Sequence, residues 1–175
     1  MLEGLLGKRL ALGVNKVSLA DSAIDADVIA EIYKLCFHDP LNGDSIRDIL
    51  CKEKCFALLG REEAHIAPAG FVVCRVIAEE SELLWLGVRP KKQREGWARI
   101  LMLKALQEAL CRGARSMVLE VAENNLPARH LYESLGFKIV GHRPSYYGQP
   151  IAGSSEAKIM RAVLGKLSGE KGLSY

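Results

Sequence analysis

Apolar positions along the chain recur at two spacings. Ile24, Val28, Ile29, Ile32, Leu35 and Cys36 fall on a helical stripe. Asp21, Ser22 and Asp25 offer caps for its start, so a first helix ending near Phe37 is expected. A turn-rich stretch over residues 38–44 leads to a short second helix over 45–51. Residues 55–59 and 70–78 read as strands, and the short polar connection between them predicts a hairpin. Ser81 and Glu82 then read as a turn into a strand over 83–88. The run over 99–110 is apolar on nearly every side, with Lys104, Gln107, Glu108 and Arg112 as its polar stripe. That is a helix made to pack against a sheet, ending at Arg112-Gly113.

A strand follows over 116–121, and Asn124-Asn125-Leu126-Pro127 supplies an amide cap and an early proline for a helix running to Leu135 and stopped by Gly136. Strands over 137–141 and 156–163 complete the pattern, separated by a loop rich in Pro, Ser, Tyr and Gly. With no repeats and no internal linker, the expectation is one domain over 1–175, its ends 1–13 and 165–175 loose. The fold class expected is α/β (α+β): a mixed sheet with helices on both faces.

Composition changes this picture little. The 175 residues are 49% hydrophobic and 26% charged, which fits a globular chain. A net charge of +3 is too small to argue for nucleic acid as a partner. No run is long enough to span a bilayer and none reads as a secretory core, so no membrane partner is expected. The five cysteines form no Cys-x-x-Cys pair and the four histidines are scattered, so no metal is expected. Cysteines without a framework point to a reducing, cytoplasmic setting, and most should be small buried hydrophobes.

Gln93-Arg94-Glu95-Gly96-Trp97-Ala98 joins a strand-like run to a helix-like one. A glycine and a small residue in such a turn let backbone N–H groups point inward, and a helix N-terminus favours an anion. Arg89, Lys91, Lys92, Arg94 and Arg99 surround the turn. A solvated basic loop is the bland reading; a ligand with several phosphates makes better sense of the cluster.

The spacing Gln-x-x-Gly-x-Ala is similar to the pyrophosphate signature of the GNAT superfamily of acetyl-coenzyme A-dependent N-acetyltransferases. Leu119-Glu120-Val121, Asn125, Leu131-Tyr132-Glu133-Ser134-Leu135-Gly136-Phe137, Tyr146-Tyr147 and Ile159-Met160 resemble, more narrowly, the ribosomal-protein-alanine N-acetyltransferase family. The likeness covers roughly residues 83–160 and is weak before Gly70. Three positions depart from the family: the loop Cys36-Phe37-His38-Asp39-Pro40-Leu41 has no tryptophan, Arg89 stands where relatives are commonly acidic, and Ala98 replaces a second glycine. The first of these touches the loop that borders the family's acceptor site.

The resemblance implies the GNAT fold with a mostly antiparallel sheet. It implies acetyl-CoA as donor, with its pantetheine arm along Leu86, Gly87 and Val88 and its phosphates at Arg94, Glu95, Gly96, Trp97, Ala98 and Arg99. It implies Asn125 as cap and coenzyme ligand, Glu120 as general base and Tyr132 as general acid. Asn125 and Tyr132 lie seven residues apart, about two helical turns, and so share a face. Plainer readings stand beside these: Glu120 as an exposed strand-end carboxylate, Tyr132 and Trp97 as packing residues, Leu86 to Val88 as simple core strand. Tyr146-Tyr147 wall a peptide groove or pack a hairpin tip. Glu79, Glu80, Glu82 and Glu123 attract a cationic N-terminus or form a solvated face, and His130 is structural.

The expected activity is direct acetyl transfer to a protein N-terminal amine, the N-terminal alanine of a small-subunit ribosomal protein, by a monomer or weak dimer. Alternatives are an acetyltransferase of a small amine or lysine, a non-catalytic acetyl-CoA-binding regulatory module, and a nucleic-acid binder using the basic turn.

Overall fold

The computed structural model describes residues 16–21, 24–38, 41–52, 54–63, 67–143 and 156–165. The stretch 1–13, the Ser22 cap, Asp39-Pro40, Tyr146-Tyr147 and the tail beyond Gly165 lie outside the described residues. The elements run β1 (Lys16–Leu19), α1 (Ala26–Cys36), α2 (Gly43–Leu50), β2 (Cys55–Arg61), β3 (Gly70–Ile77), β4 (Glu80–Val88), α3 (Trp97–Cys111), β5 (Ser116–Ala122), α4 (Leu126–Ser134), β6 (Lys138–Arg143) and β7 (Ala157–Val163). The strands pair in the order β1-β2-β3-β4-β5-β7-β6. β4 and β5 are parallel, and β1–β2, β5–β7 and β6–β7 are antiparallel. Parallel neighbours need a crossover, which α3 supplies. The mixed α/β class expected from the pattern is the one found.

The chain divides into two compact units. The first comprises 1–74 and 84–105. Ala26, Ile29, Ala30 and Tyr33 recur at helical spacing on α1 and pack with Ile46, Ala57, Leu59, Phe71 and Val73 into one core. Tyr33 stacks on Phe37 at 4.3 Å and meets Trp85 edge-on at 5.5 Å. Asn42 caps α2 by accepting from the Ser45 N–H at 2.8 Å.

The second unit comprises 75–83 and 106–175. Along β5, Met117, Leu119 and Val121 are buried while Glu120 is exposed, the alternation of a strand covered on one face. β4 pairs with β5 at Glu80↔Ser116, Ser81↔Met117 and Glu82↔Val118.

Several expectations need correction. Ser81 and Glu82 belong to β4, with Ser81 fully buried; the turn falls at Ala78-Glu79, where Ala78 takes φ +53° without a glycine to mark it. Ile24 precedes α1 and is exposed, as is Leu35, so the buried stripe is narrower than the apolar one. β1 is an edge strand of four residues, too short to show a period. Of the cysteines only Cys55 and Cys74 are buried; Cys51 and Cys111 are exposed. α3 begins at Trp97, not Arg99.

Candidate active site

The turn between β4 and α3 is pinned from behind. The Val88 carbonyl accepts from Gln93 Nε2 at 3.1 Å and from the Cys36 thiol at 3.4 Å. Burial pushes that thiol's pKa up. Arg89 acts as a clamp: its N–H donates to the Ala69 carbonyl, its Nε to the Pro68 carbonyl and its Nη1 to Glu31 on α1. The Arg89 guanidinium holds the Glu31 carboxyl below its usual range. Lys92 pairs with Glu62 at 2.6 Å, and that hydrogen bond raises the Lys92 pKa. The basic cluster is therefore partly spent on the fold. Among the described residues, Lys91 and Arg94 make no ion pair.

Two left-handed residues bend the turn, Arg94 at φ +67° and Gly96 at φ +91°. The first backbone bond of the helix runs from the Ile100 N–H to the Gly96 carbonyl. Among the described residues, no acceptor takes the N–H groups of Glu95, Gly96, Trp97 or Ala98. A Cβ added at Gly96 would meet nothing within 4 Å, so the space over this backbone is open. Consecutive unpaired amides at a helix start form an anion cradle, and these residues fit a diphosphate. Glu95 is turned aside, its carboxylate taking the Trp97 Nε1 hydrogen at 3.4 Å. Trp97 is buried against Gly60 and is a packing residue here, with only its amide in the cradle. Gly87 has a reason of its own: a Cβ there would strike the Phe71 ring at 2.6 Å.

The second unit carries the titratable candidates. Glu120 projects from the exposed face of β5, and its Oε1 accepts from Arg143 Nη1 at 2.8 Å. Tyr132 is buried on α4 with its ring 5.7 Å from Phe137. The Tyr132 carbonyl receives the N–H groups of Leu135 and Phe137, closing the helix. Asn125 is the N-cap of α4 at ψ +67°, outside the helix itself, so the two-turn argument for a shared face with Tyr132 does not apply. Its Oδ1 accepts from the Ala128 N–H at 3.2 Å, while Nδ2 has no partner among the described residues.

The four acidic residues read as a lure for a cation are already paired: Glu79 with Arg115, Glu80 with Arg161, Glu82 with Arg75 and Glu123 with Lys158. His130 is exposed on α4. Arg143 was not legible as a site residue, because nothing in an edge strand of mixed polarity marks a side chain that reaches another strand. Among the described residues there is no group of three or more His, Cys, Asp or Glu side chains that could hold a metal, and no helix long and apolar enough to cross a membrane.

A sequence model of the Acetyltransferase (GNAT) family matches residues 26–137. The chain is 34% identical over 95 residues to the [ribosomal protein bS18]-alanine N-acetyltransferase of Haemophilus influenzae, covering 54% of this chain and 64% of that protein. It is 36% identical over 95 residues to the enzyme of the same name in Escherichia coli strain K12, covering 54% and 63%. In both cases the match spans less than two thirds of the relative's length. The crystal structure of the Escherichia coli ribosomal-protein-S18-alanine N-acetyltransferase superposes with a TM-score of 0.77 at 26% identity, covering 93% of this chain and 100% of that one. A Salmonella typhimurium protein solved with its cofactor acetyl-CoA shares the fold, with a TM-score of 0.72 at 20% identity over 87% of this chain and 95% of that one. Strand order, the open amides before α3 and a family match across most of the described elements agree: the chain belongs to the GNAT acetyltransferase family.

Proposed function

We propose that the chain is an acetyl-CoA-dependent N-acetyltransferase acting on a protein N-terminal amine, the N-terminal alanine of a small-subunit ribosomal protein. The observation that carries the donor assignment is the row of four unpartnered amides, Glu95 to Ala98, at the start of α3. The acceptor assignment draws on the names of the relatives that are 34% and 36% identical. In this reading residues 1–175 form one acetyltransferase domain, acting in the cytoplasm as a monomer or weak dimer.

When bound, acetyl-CoA supplies the electrophile, a thioester carbonyl. The cradle amides, with Arg94 and Arg99 beside them, bind its diphosphate. Leu86, Gly87 and Val88 offer main-chain groups for the pantetheine arm. Asn125 offers Nδ2. An N-terminal amine has a pKa of about 7.7–8.0, so part of it is protonated at neutral pH and cannot attack. Glu120 Oε2 removes that proton, directly or through water. The Tyr132 hydroxyl holds a proton for the departing sulfur. No side chain is acylated on the way, so transfer is direct.

The test is thiol release from acetyl-CoA with peptides that begin with Ala or Ser, with a Lys-bearing peptide blocked at its N-terminus, and with polyamines. Preference for the Ala peptide is expected. Preference for a polyamine or lysine moves the assignment to a small-amine or lysine acetyltransferase, and tight acetyl-CoA binding without turnover on any amine makes the chain a regulatory module.

A further inference from the structure

Arg143 reaches across a whole strand to meet Glu120. β7 lies between their two strands, β6 and β5. Arg143 stands opposite Ala157 and Ala157 opposite Ala122, while Glu120 stands opposite Ile159 and Ile159 opposite Gly141. All six residues therefore share one face of the sheet. Two strand spacings are roughly 10 Å, a span that an arginine and a glutamate bridge together only if nothing bulky stands in the way. Three of the four intervening positions on that face are Ala122, Gly141 and Ala157, small residues that put little bulk between the two side chains. Its Nη1 meets Glu120 Oε1 at 2.8 Å, and Oε2 has no hydrogen-bond partner among the described residues.

We propose that Arg143 is the positioning residue of Glu120, fixing one carboxylate oxygen so that the other is presented in a single orientation to the acceptor's ammonium group. The inference rests on the reading of Glu120 as the base. A carboxylate on an exposed strand face samples several rotamers, and a base that must meet a proton within hydrogen-bond distance loses rate in each wrong one. A planar, permanently charged donor suits this task better than a lysine, whose ammonium has no fixed fork.

Steady-state kinetics of R143M, R143K, E120Q and the double variant R143M/E120Q test it. R143M is expected to lower kcat about tenfold while leaving KM for acetyl-CoA unchanged, and R143K to recover part of the loss. The double variant is expected to be no slower than E120Q alone, since a positioning residue has nothing left to position. Turnover of R143M equal to that of the unaltered protein, or a loss that adds in full to that of E120Q, overturns the proposal. If R143M does not fold, R143Q takes its place with the same two outcomes. Full activity of E120Q removes the base itself and this inference with it; a slow E120Q beside a fully active R143M removes only the inference.

Discussion

Trp97 lies across the backbone of Gly60: a methyl group at Gly60 would come within 3.0 Å of Trp97 Cε3 and 3.1 Å of Cζ3. Trp97 is both buried and the first residue of α3, so what displaces its ring also tilts the start of the helix. Gly60→Ala is expected to destabilise the protein by about 1–3 kcal/mol, the usual range for overpacking a filled site. Its affinity for acetyl-CoA should fall as well. Thermal unfolding and calorimetric titration measure the two effects, and an unchanged affinity would separate the Trp97 packing from the cradle.

Gly96 sits at φ +91° with open space where a side chain would go. Gly96→Ala should therefore cost stability through the backbone alone, about 1–3 kcal/mol. Relaxation of that strain would turn the amides of the cradle, so acetyl-CoA binding should weaken in parallel. Equal affinity in the variant would contradict the assignment of these amides to the diphosphate.

Tyr132 is buried with its ring against Phe137, so truncation to alanine would confuse stability with chemistry. Tyr132→Phe keeps the ring and removes only the hydroxyl. A fall in kcat of about a hundredfold is expected if the phenol is the acid, with the melting temperature nearly unchanged. Glu120→Gln should show a similar fall with coenzyme binding intact.

Lys158 is almost buried, and its Nζ contacts Glu123 Oε1 at 2.6 Å and His142 Nδ1 at 2.9 Å. The hydrogen bond from Lys158 holds the Glu123 carboxyl below its usual pKa. A folded-state pKa lowered in this way contributes stability that is present above the unfolded glutamate value and lost as pH falls through the folded one. Glu123→Gln should therefore lower the melting temperature at neutral pH, and its difference from the unaltered protein should shrink on acidification. A difference independent of pH down to acid unfolding would exclude this pair as the cause.

Thiol chemistry separates the cysteines. Cys74 is fully buried, and that burial pushes its thiol well up, so it should resist a disulfide reagent in the native state. Cys51 and Cys111 are exposed and should react first, as peptide mapping after brief labelling would show.

Much of the frame was readable from residue order alone, because long elements carry a period. The existence of α1 with Ile29 and Ile32 in its core, the buried run of β2 and the Asn125 cap follow from local pattern, whereas Ala26, Ala30 and Tyr33 enter the core without having been expected there. The turn with its open amides was equally legible, since Gly96 and the helix that follows are a local signal. What escaped depended on partners distant in sequence. Arg89 looks like a phosphate ligand until Glu31 and Pro68 are brought to it. Gly87 looks merely permissive until Phe71 packs where its Cβ would be. The turn at Ala78 carries no glycine or proline, and Arg143 has no local pattern that names Glu120.

The four glutamates around the β4 and β5 termini each hold an arginine or lysine of their own. Charges cancelled at contact distance project little field beyond a Debye length. These groups thus draw no cation in from afar, and capture of the proposed amine acceptor would rest on short-range fit. Turnover at low substrate should consequently respond only weakly to ionic strength, unlike that of an enzyme that gathers its substrate by long-range attraction.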